Sequence, residues 1–325
     1  MLPTARELLR LAESTGYRVD TLEKVIRLVE LLSDIDRHPL LGSCLVLKGG
    51  TALNLCVGAP RRLSVDLDFN FIGTADLQEM QQSRPLVEQA VEAIGRNQGY
   101  AAQKSAESHA SRKHYLSYRR VSDGLPDRLE VDVNYLHRVC LLPKQRGRIW
   151  RGGDEPGPEV ALLSWPEIAA GKLVALLDRA ATRDAWDVAR LPRLSSEAWP
   201  PTYLRSVFIA LAGTLPRPLY EYDQTRLERI RDEDVTRLLH PMLLPNDRPT
   251  ANELREGSWT VLEPLLTLTE REKEFCERLQ TGELMPELIF PANSDLAEKV
   301  HRHPALRWKA KNARTHFEQR GRNSR

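Results

Sequence analysis

Apolar residues along this chain recur with two different periods. Over residues 3–14 and 20–36 they return every three to four positions. In the second stretch Leu22, Val25, Ile26, Val29, Leu31 and Leu32 form one stripe, and both stretches are predicted to be amphipathic helices. Over residues 45–71 the period shortens. Val46 and Leu47 end a short apolar run, Gly49-Gly50-Thr51 breaks it, and Ala52-Leu53-Asn54-Leu55-Cys56 reads as the start of a helix. The run Ser64-Val65-Asp66-Leu67-Asp68-Phe69 then alternates residue by residue. Successive side chains on a strand point to opposite faces. Val65, Leu67 and Phe69 therefore share a core face, and Ser64, Asp66 and Asp68 share the other.

Further on, Pro85–Gln98 is predicted to be a helix with Pro85 in its first turn. Lys113–Val121 and Arg128–Tyr135 read as strands joined by a turn at Ser122–Asp127, and Arg138–Pro143 as one more strand. In the second of these, Leu129, Val131 and Val133 face one way and Glu130, Asp132 and Asn134 the other. A loop rich in Gly, Pro and Arg spans Gln145–Pro158 and marks a lobe boundary. Beyond it a helix over Glu167–Leu177, with Ser164 as a possible cap, precedes Arg183-Asp184-Ala185-Trp186-Asp187-Val188, where Asp184 and Asp187 share a helix face. From Pro200 onward every periodic segment is helical: 203–215, 224–239, 252–262, 270–279 and 295–312. The expected fold is α+β and bi-lobed, with a sheet-containing lobe over 1–158 and a helical lobe over 159–325. His38 falls in a connecting loop and reads as an ordinary surface residue.

Composition narrows the class. At 325 residues and 41% hydrophobic the chain can bury a sizeable core. It has no apolar run of membrane-spanning length, and its N-terminus is amphipathic and carries acids, unlike a secretion signal. Cys44, Cys56, Cys140 and Cys276 form no C-x-x-C pair and have no histidine cluster near them, which predicts reduced thiols, a cytoplasmic setting and no zinc site. The net charge of +2 is unevenly spread. Residues 301–325 hold eight Lys/Arg against the single acid Glu318, leaving 39 basic and 44 acidic residues in the rest. A basic tail on a mildly acidic body suits a polyanionic partner, and equally a solvated tail.

The chemistry concentrates at Asp66 and Asp68. Two carboxylates on one strand face repel unless a cation sits between them, and hard oxygen donors suit Mg²⁺ with substrate phosphates and waters. The Gly49-Gly50-Thr51 turn offers backbone N–H groups at a helix start, a natural phosphate cradle. Together they predict metal-dependent chemistry on a nucleoside triphosphate. A third carboxylate on a second strand would orient or deprotonate an attacking hydroxyl, with Asp132 the candidate and Glu130 its alternate.

The segments Lys48-Gly49-Gly50-Thr51-Ala52-Leu53 and Arg62-Leu63-Ser64-Val65-Asp66-Leu67-Asp68-Phe69 resemble the first motif of polymerase-β-type nucleotidyltransferases. They are most similar to the AbiEii/AbiGii branch, toxins of bacterial abortive-infection toxin–antitoxin pairs. Lys172, followed by Asp187 within Arg-Asp-x-x-Asp, matches that family's later motif. The resemblance implies a polymerase-β-like N-terminal lobe with a mixed sheet and a helical C-terminal lobe. It implies Mg²⁺-dependent transfer of nucleotides from an NTP to an RNA acceptor, with the 3′ end of tRNA expected, and hence a block of translation. It also implies an antitoxin partner that need not form a stable complex. In such a site Asp66, Asp68 and Asp132 would hold the metal, and Gly49, Gly50, Thr51 and Ser64 would contact phosphate. Lys172 would bind the β/γ-phosphates, and Asp187 would position Lys172 or the nucleotide. Arg61, Arg62 and the tail cations Arg307, Lys309, Lys311 and Arg314 would track the RNA backbone. Two other readings remain open on sequence: transfer to a protein or small molecule, and a non-catalytic RNA- or protein-binding module.

Overall fold

A computed structural model describes residues 3–56, 60–153, 156–194 and 198–323, with the side chains of Glu318 and residues 320–323 outside that description. The chain divides into two compact units. The first comprises Met1–Arg138, Lys144–Leu163 and Thr236–Arg248, and the second Val139–Pro143, Ser164–Val235 and Pro249–Arg325. The change of unit therefore falls at 163, five residues beyond the expected 158, and the division is not a single cut.

The first unit is built on a seven-stranded mixed sheet. In chain order its elements are α1 (Ala5–Thr15), α2 (Val19–Arg37), α3 (Pro39–Cys44), β1 (Leu45–Lys48), α4 (Gly49–Leu55), β2 (Asp66–Phe71) and α5 (Leu77–Asn97). Then come β3 (Ala101–Lys104), β4 (Ser111–Arg119), β5 (Pro126–Asn134), β6 (Gln145–Arg148) and β7 (Glu159–Leu162). The strands lie in the order β3-β4-β5-β2-β1-β7-β6. The β1–β7 and β2–β5 pairs are parallel and the others antiparallel. Leu47, Leu67, Phe69, Leu116, Leu129, Val131 and Val133 are all buried, as the alternation requires.

The sequence pattern describes α2 incompletely. Its stripe is buried, but so are Glu23 and Arg27, which pair at 2.9 Å. The Glu23 carboxylate also accepts the Val121 backbone N–H at 2.9 Å, and the Arg27 guanidinium stacks 4.2 Å from the Tyr118 ring centroid. A buried charge is tolerable only when paired and hydrogen-bonded. This pair meets that condition and fastens the β4–β5 turn to α2.

Other boundaries differ for local reasons. Helix α5 starts eight residues before the expected Pro85, because Asp76 accepts the Gln78 and Glu79 N–H groups at 2.8 and 3.0 Å and caps it there. Pro85 consequently lies inside the helix. No strand forms over 138–143. Instead β6 and β3, neither expected, occupy the two sheet edges, where a strand can pair without an apolar face. His38 does more than connect elements: its Nδ1 accepts the Leu41 N–H at 3.3 Å and caps α3.

The second unit is helical. It contains α6 (Trp165–Arg179), α7 (Thr182–Leu194) and α8 (Leu204–Ala212), followed by helices Ala251–Leu266, Glu270–Thr281, Asp295–Arg302 and Pro304–Asn323. The last two cover the helical stretch expected over 295–312 and extend beyond it. His303, held extended before Pro304, separates them. The expected helix over 224–239 is likewise broken, into a 3₁₀ segment at Gln224–Arg229 and a π-helical turn at Val235–Leu239. Ile230 and Arg231 between these are extended. Segment 139–143 is held in this unit by Glu167, whose carboxylate accepts the Leu141 and Leu142 N–H groups at 3.2 and 3.1 Å. Burial pushes Glu167 up to about 7. No helix among the described residues is long and apolar enough to cross a membrane.

Candidate active site

The acidic face of the sheet follows from register. In the parallel β2–β5 pair, Asp66 lies opposite Glu130 and Asp68 opposite Asp132. From β1, Lys48 lies opposite Asp68, and from β4, Lys113 lies opposite Asp132. Residues directly opposite across a ladder project to the same face. The sheet thus carries one row Lys48–Asp68–Asp132–Lys113 and beside it a row Asp66–Glu130–Tyr115. Each end of the central aspartate pair is flanked by a lysine.

The two central carboxylates have different surroundings. Asp132 Oδ1 is buried and has no hydrogen-bond partner, while its Oδ2 stands 4.0 Å from Lys113 Nζ. Burial raises the Asp132 pKa, the Asp68 charge raises it further, and Lys113 and Lys48 oppose the shift. Asp68 lies against the start of α4. Gly49 has φ +74°, and a Cβ there would come within 2.4 Å of Asp68 Oδ2. Only glycine satisfies both the left-handed backbone and that close approach. Glu130 accepts a short hydrogen bond from Lys113 Nζ, which holds the ammonium above its ordinary pKa.

The phosphate-cradle residues divide. Lys48, at the cap position of α4, makes no side-chain cap, so the first turn depends on other partners for its amides. Thr51 is fully buried, and its hydroxyl donates to the Asp66 carbonyl at 2.6 Å. That bond ties α4 to the start of β2, so the Thr51 hydroxyl serves the fold. Ser64 precedes β2, in irregular backbone, and is buried.

These residues fit a divalent cation. Asp132 has an unpartnered buried oxygen, and Asp68 stands directly opposite on the neighbouring strand, about 4.8 Å away across the ladder. Among the described residues no three His, Cys, Asp or Glu side chains gather closely enough to hold a metal unaided. Mg²⁺ does not require that, because it binds through one or two carboxylates plus substrate phosphates and retained waters.

The second unit holds a buried charge cluster. Lys172 on α6 is 6% exposed, and its Nζ lies 2.7 Å from Asp187 Oδ2 and 3.1 Å from Asp184 Oδ1 on α7. Asp184 also accepts from Arg179 Nε at 2.6 Å. Asp184 and Asp187 are each 1% exposed, so this D-x-x-D pair is interior. Burial alone would raise the Asp184 pKa, but Lys172 and Arg179 override it and hold the carboxyl well below its usual range. The expected partners Lys172 and Asp187 do meet, and Asp184 joins them.

The expected RNA-facing cations are less uniform. Arg61 is exposed and pairs with Asp247 at 3.3 Å. Arg62 is a correction: it is 1% exposed, bridges Leu243, and donates to the Leu63 carbonyl at 2.9 Å. It stabilises the fold and presents no surface charge. Arg307, Lys311 and Arg314 are exposed on the helix Pro304–Asn323. Lys309 is half-buried and donates to the Leu215 carbonyl at 2.7 Å, and burial lowers its pKa. The side chains of Arg320 and Arg322, and Arg325 altogether, lie outside the described residues. Lys48 and Lys113 were not singled out from sequence. The alternation of β4 puts Lys113 and Tyr115 on one face, but only the strand order shows that this face adjoins Asp132.

The family profile described as "Nucleotidyl transferase AbiEii toxin, Type IV TA system" matches residues 30–257. The chain belongs to this family, and it is a nucleotidyltransferase toxin of a type IV toxin–antitoxin system. Among solved structures it is similar to MenT4, a nucleotidyltransferase toxin from Mycobacterium tuberculosis H37Rv. The identity is 18%, the coverage 92% of this chain and 98% of that one, and the TM-score 0.61, which shows a shared fold. JHP933 from Helicobacter pylori also matches, at 14% identity over 94% of this chain and 97% of that one, with a TM-score of 0.37. No curated protein matches the chain.

Proposed function

We propose that this toxin transfers nucleotides from an NTP to the 3′ end of tRNA, with Mg²⁺ as cofactor, and so blocks translation. The observation that carries the reading is the Asp68–Asp132 pairing across β2 and β5, with an Asp132 oxygen left unpartnered. Asp66, Asp68 and Asp132 are the residues that would hold Mg²⁺, which when bound supplies charge stabilisation to the triphosphate. The acceptor 3′-OH attacks the α-phosphorus, the bond to the leaving oxygen breaks, and pyrophosphate departs with its electron pair.

This chain's residues set the conditions for that step. Gly49 admits the Asp68 carboxylate close to the helix start, and the Gly49-Gly50-Thr51 amides and Ser64 contact phosphate. Asp132 orients the acceptor hydroxyl and draws off its proton. Asp187, with Asp184, positions the Lys172 ammonium within the second unit. Arg61, Arg307, Lys311 and Arg314 supply charge for the RNA backbone, and half-exposed Trp308 on the same terminal helix offers a face for base stacking. The antitoxin acts without the need for a stable complex.

The test is incubation with each α-³²P-labelled NTP, Mg²⁺ and total tRNA, beside Asp66→Ala. Label on tRNA that is absent with the variant supports the assignment and names the nucleotide. Label on protein instead of RNA supports the alternative acceptor.

A further inference from the structure

Two carboxylates on β5 compete by chemistry for one role. Glu130 is in register with Asp66 just as Asp132 is with Asp68, and both project to the same face. Donor type and charge do not separate them. What separates them is the residue that β4 places beside them. Lys113 lies opposite Asp132 in the ladder, yet its ammonium leans two residues along β5 and donates to Glu130 Oε1. It remains 4.0 Å from Asp132 Oδ2, and Asp132 Oδ1 keeps no partner.

We propose that Lys113 is a positioning residue that sequesters Glu130 and thereby leaves Asp132 as the carboxylate that joins Asp68 at the divalent metal. The inference rests on the metal-dependent reading above and adds to it the reason one carboxylate is used and its neighbour is not. Glutamate is one methylene longer than aspartate, so an unrestrained Glu130 reaches beyond Asp132 over the same face. A cation offered both would be drawn away from the Asp68–Asp132 pair. A displacement of about 1 Å at a reacting centre is enough to slow chemistry by roughly a hundredfold. Lys113 prevents this with one ion pair. Its side chain is 43% exposed, so replacing it opens no cavity in the core.

The test is a four-way comparison of Mn²⁺ binding by the full-length chain, followed through the fall of the free-ion paramagnetic resonance signal, with no nucleotide present. The four proteins are wild type, Lys113→Met, Glu130→Gln and the double variant. With Glu130 sequestered, Glu130→Gln alone changes affinity by no more than about twofold, the range expected of a screened surface charge. In the Lys113→Met background Glu130 is released, Mn²⁺ binds about five- to tenfold more tightly, and adding Glu130→Gln removes that gain. Lys113→Arg keeps the charge and binds as wild type does. Lys113→Met with unchanged affinity overturns the proposal. So does a Glu130→Gln effect of equal size in both backgrounds, which would mark a through-space charge effect alone. Wild type that binds no Mn²⁺ either alone or beyond what an added non-transferable NTP analogue itself takes up, or that binds it equally well as Asp68→Asn, removes the metal-site reading itself. Wild-type binding weakened by Asp68→Asn keeps that reading however the lysine variants behave.

Discussion

Lys172 and Asp187 meet at 2.7 Å with the aspartate side chain fully buried and the lysine nearly so, and Asp184 approaches the same ammonium from one helical turn away. One cation thus serves two interior carboxylates. Removing one member of a buried pair is expensive because the other stays desolvated, typically about 3–5 kcal/mol. Lys172→Ala withdraws the cation from both aspartates, whereas Asp187→Ala leaves Lys172 with Asp184. Lys172→Ala is therefore expected to lower unfolding stability by about 3–5 kcal/mol and Asp187→Ala by about half that, while both abolish transfer. Urea titration of the two variants checks the order. Equal losses would contradict it.

Gly49 and Gly99 make a matched comparison. Both have positive φ, +74° and +84°, but a Cβ at Gly49 meets Asp68 Oδ2 whereas one at Gly99 meets nothing within 4 Å. Each Ala substitution incurs left-handed strain of about 1–2 kcal/mol. Gly49→Ala must also push the Asp68 carboxylate aside. The expected outcome is a similar fall in melting temperature for the two variants, with transfer reduced by at least about a hundredfold only in Gly49→Ala. Full activity in Gly49→Ala would show that the Asp68 position is not needed.

Glu167 makes stability depend on pH. Burial raises its folded pKa from 4.5 to about 7, so between those values the folded protein holds a proton that the unfolded chain has released. Its contribution is fully present below about pH 4.5 and is lost as pH rises toward 7, for a total of order 3 kcal/mol. The nearby charge is Lys299, whose Nζ donates to the Leu141 carbonyl. In Glu167→Gln that downward slope should flatten, whatever the variant's absolute stability. Unfolding free energies measured from pH 5 to 8 decide it, and an unchanged slope would assign the effect to other groups.

The exposed cations predict a salt-dependent association. Removing a cation that neutralises one phosphate should reduce the slope of log K against log salt by about 0.7–0.9. Arg307→Ala, Lys311→Ala and Arg314→Ala are expected to weaken tRNA binding in this way with little change in stability. Arg62→Ala should do the reverse, lowering stability through its buried guanidinium and leaving the salt slope intact. Filter binding at several salt concentrations separates the two classes.

How much was legible in the sequence depended on the range of the information. The D-x-D alternation, the Gly-Gly-Thr break and the Leu129/Val131/Val133 face are local patterns, and the strands formed where they pointed. Lys172 and Asp187 could be paired only through a family resemblance, since fifteen residues and a helix–helix turn separate them. The adjacency of Asp68 and Asp132 is a matter of strand order, which no short-range pattern encodes. Edge strands β3 and β6 lack the apolar face that makes a strand visible. The Arg61-Arg62 pair shows the limit most plainly. Two adjacent identical residues have opposite fates, because the chain returns at Met242 and Leu243 to cover one of them.

The decisive measurement is nucleotide transfer by Asp68→Asn, an isosteric change that keeps the packing against Gly49 and removes only the charge facing Asp132. With α-³²P-labelled NTPs, Mg²⁺ and total tRNA, wild type should label tRNA and Asp68→Asn should fall by at least about a thousandfold with its melting temperature maintained. Transfer within about tenfold of wild type would show that the carboxylate pair across β2 and β5 is not where the chemistry occurs.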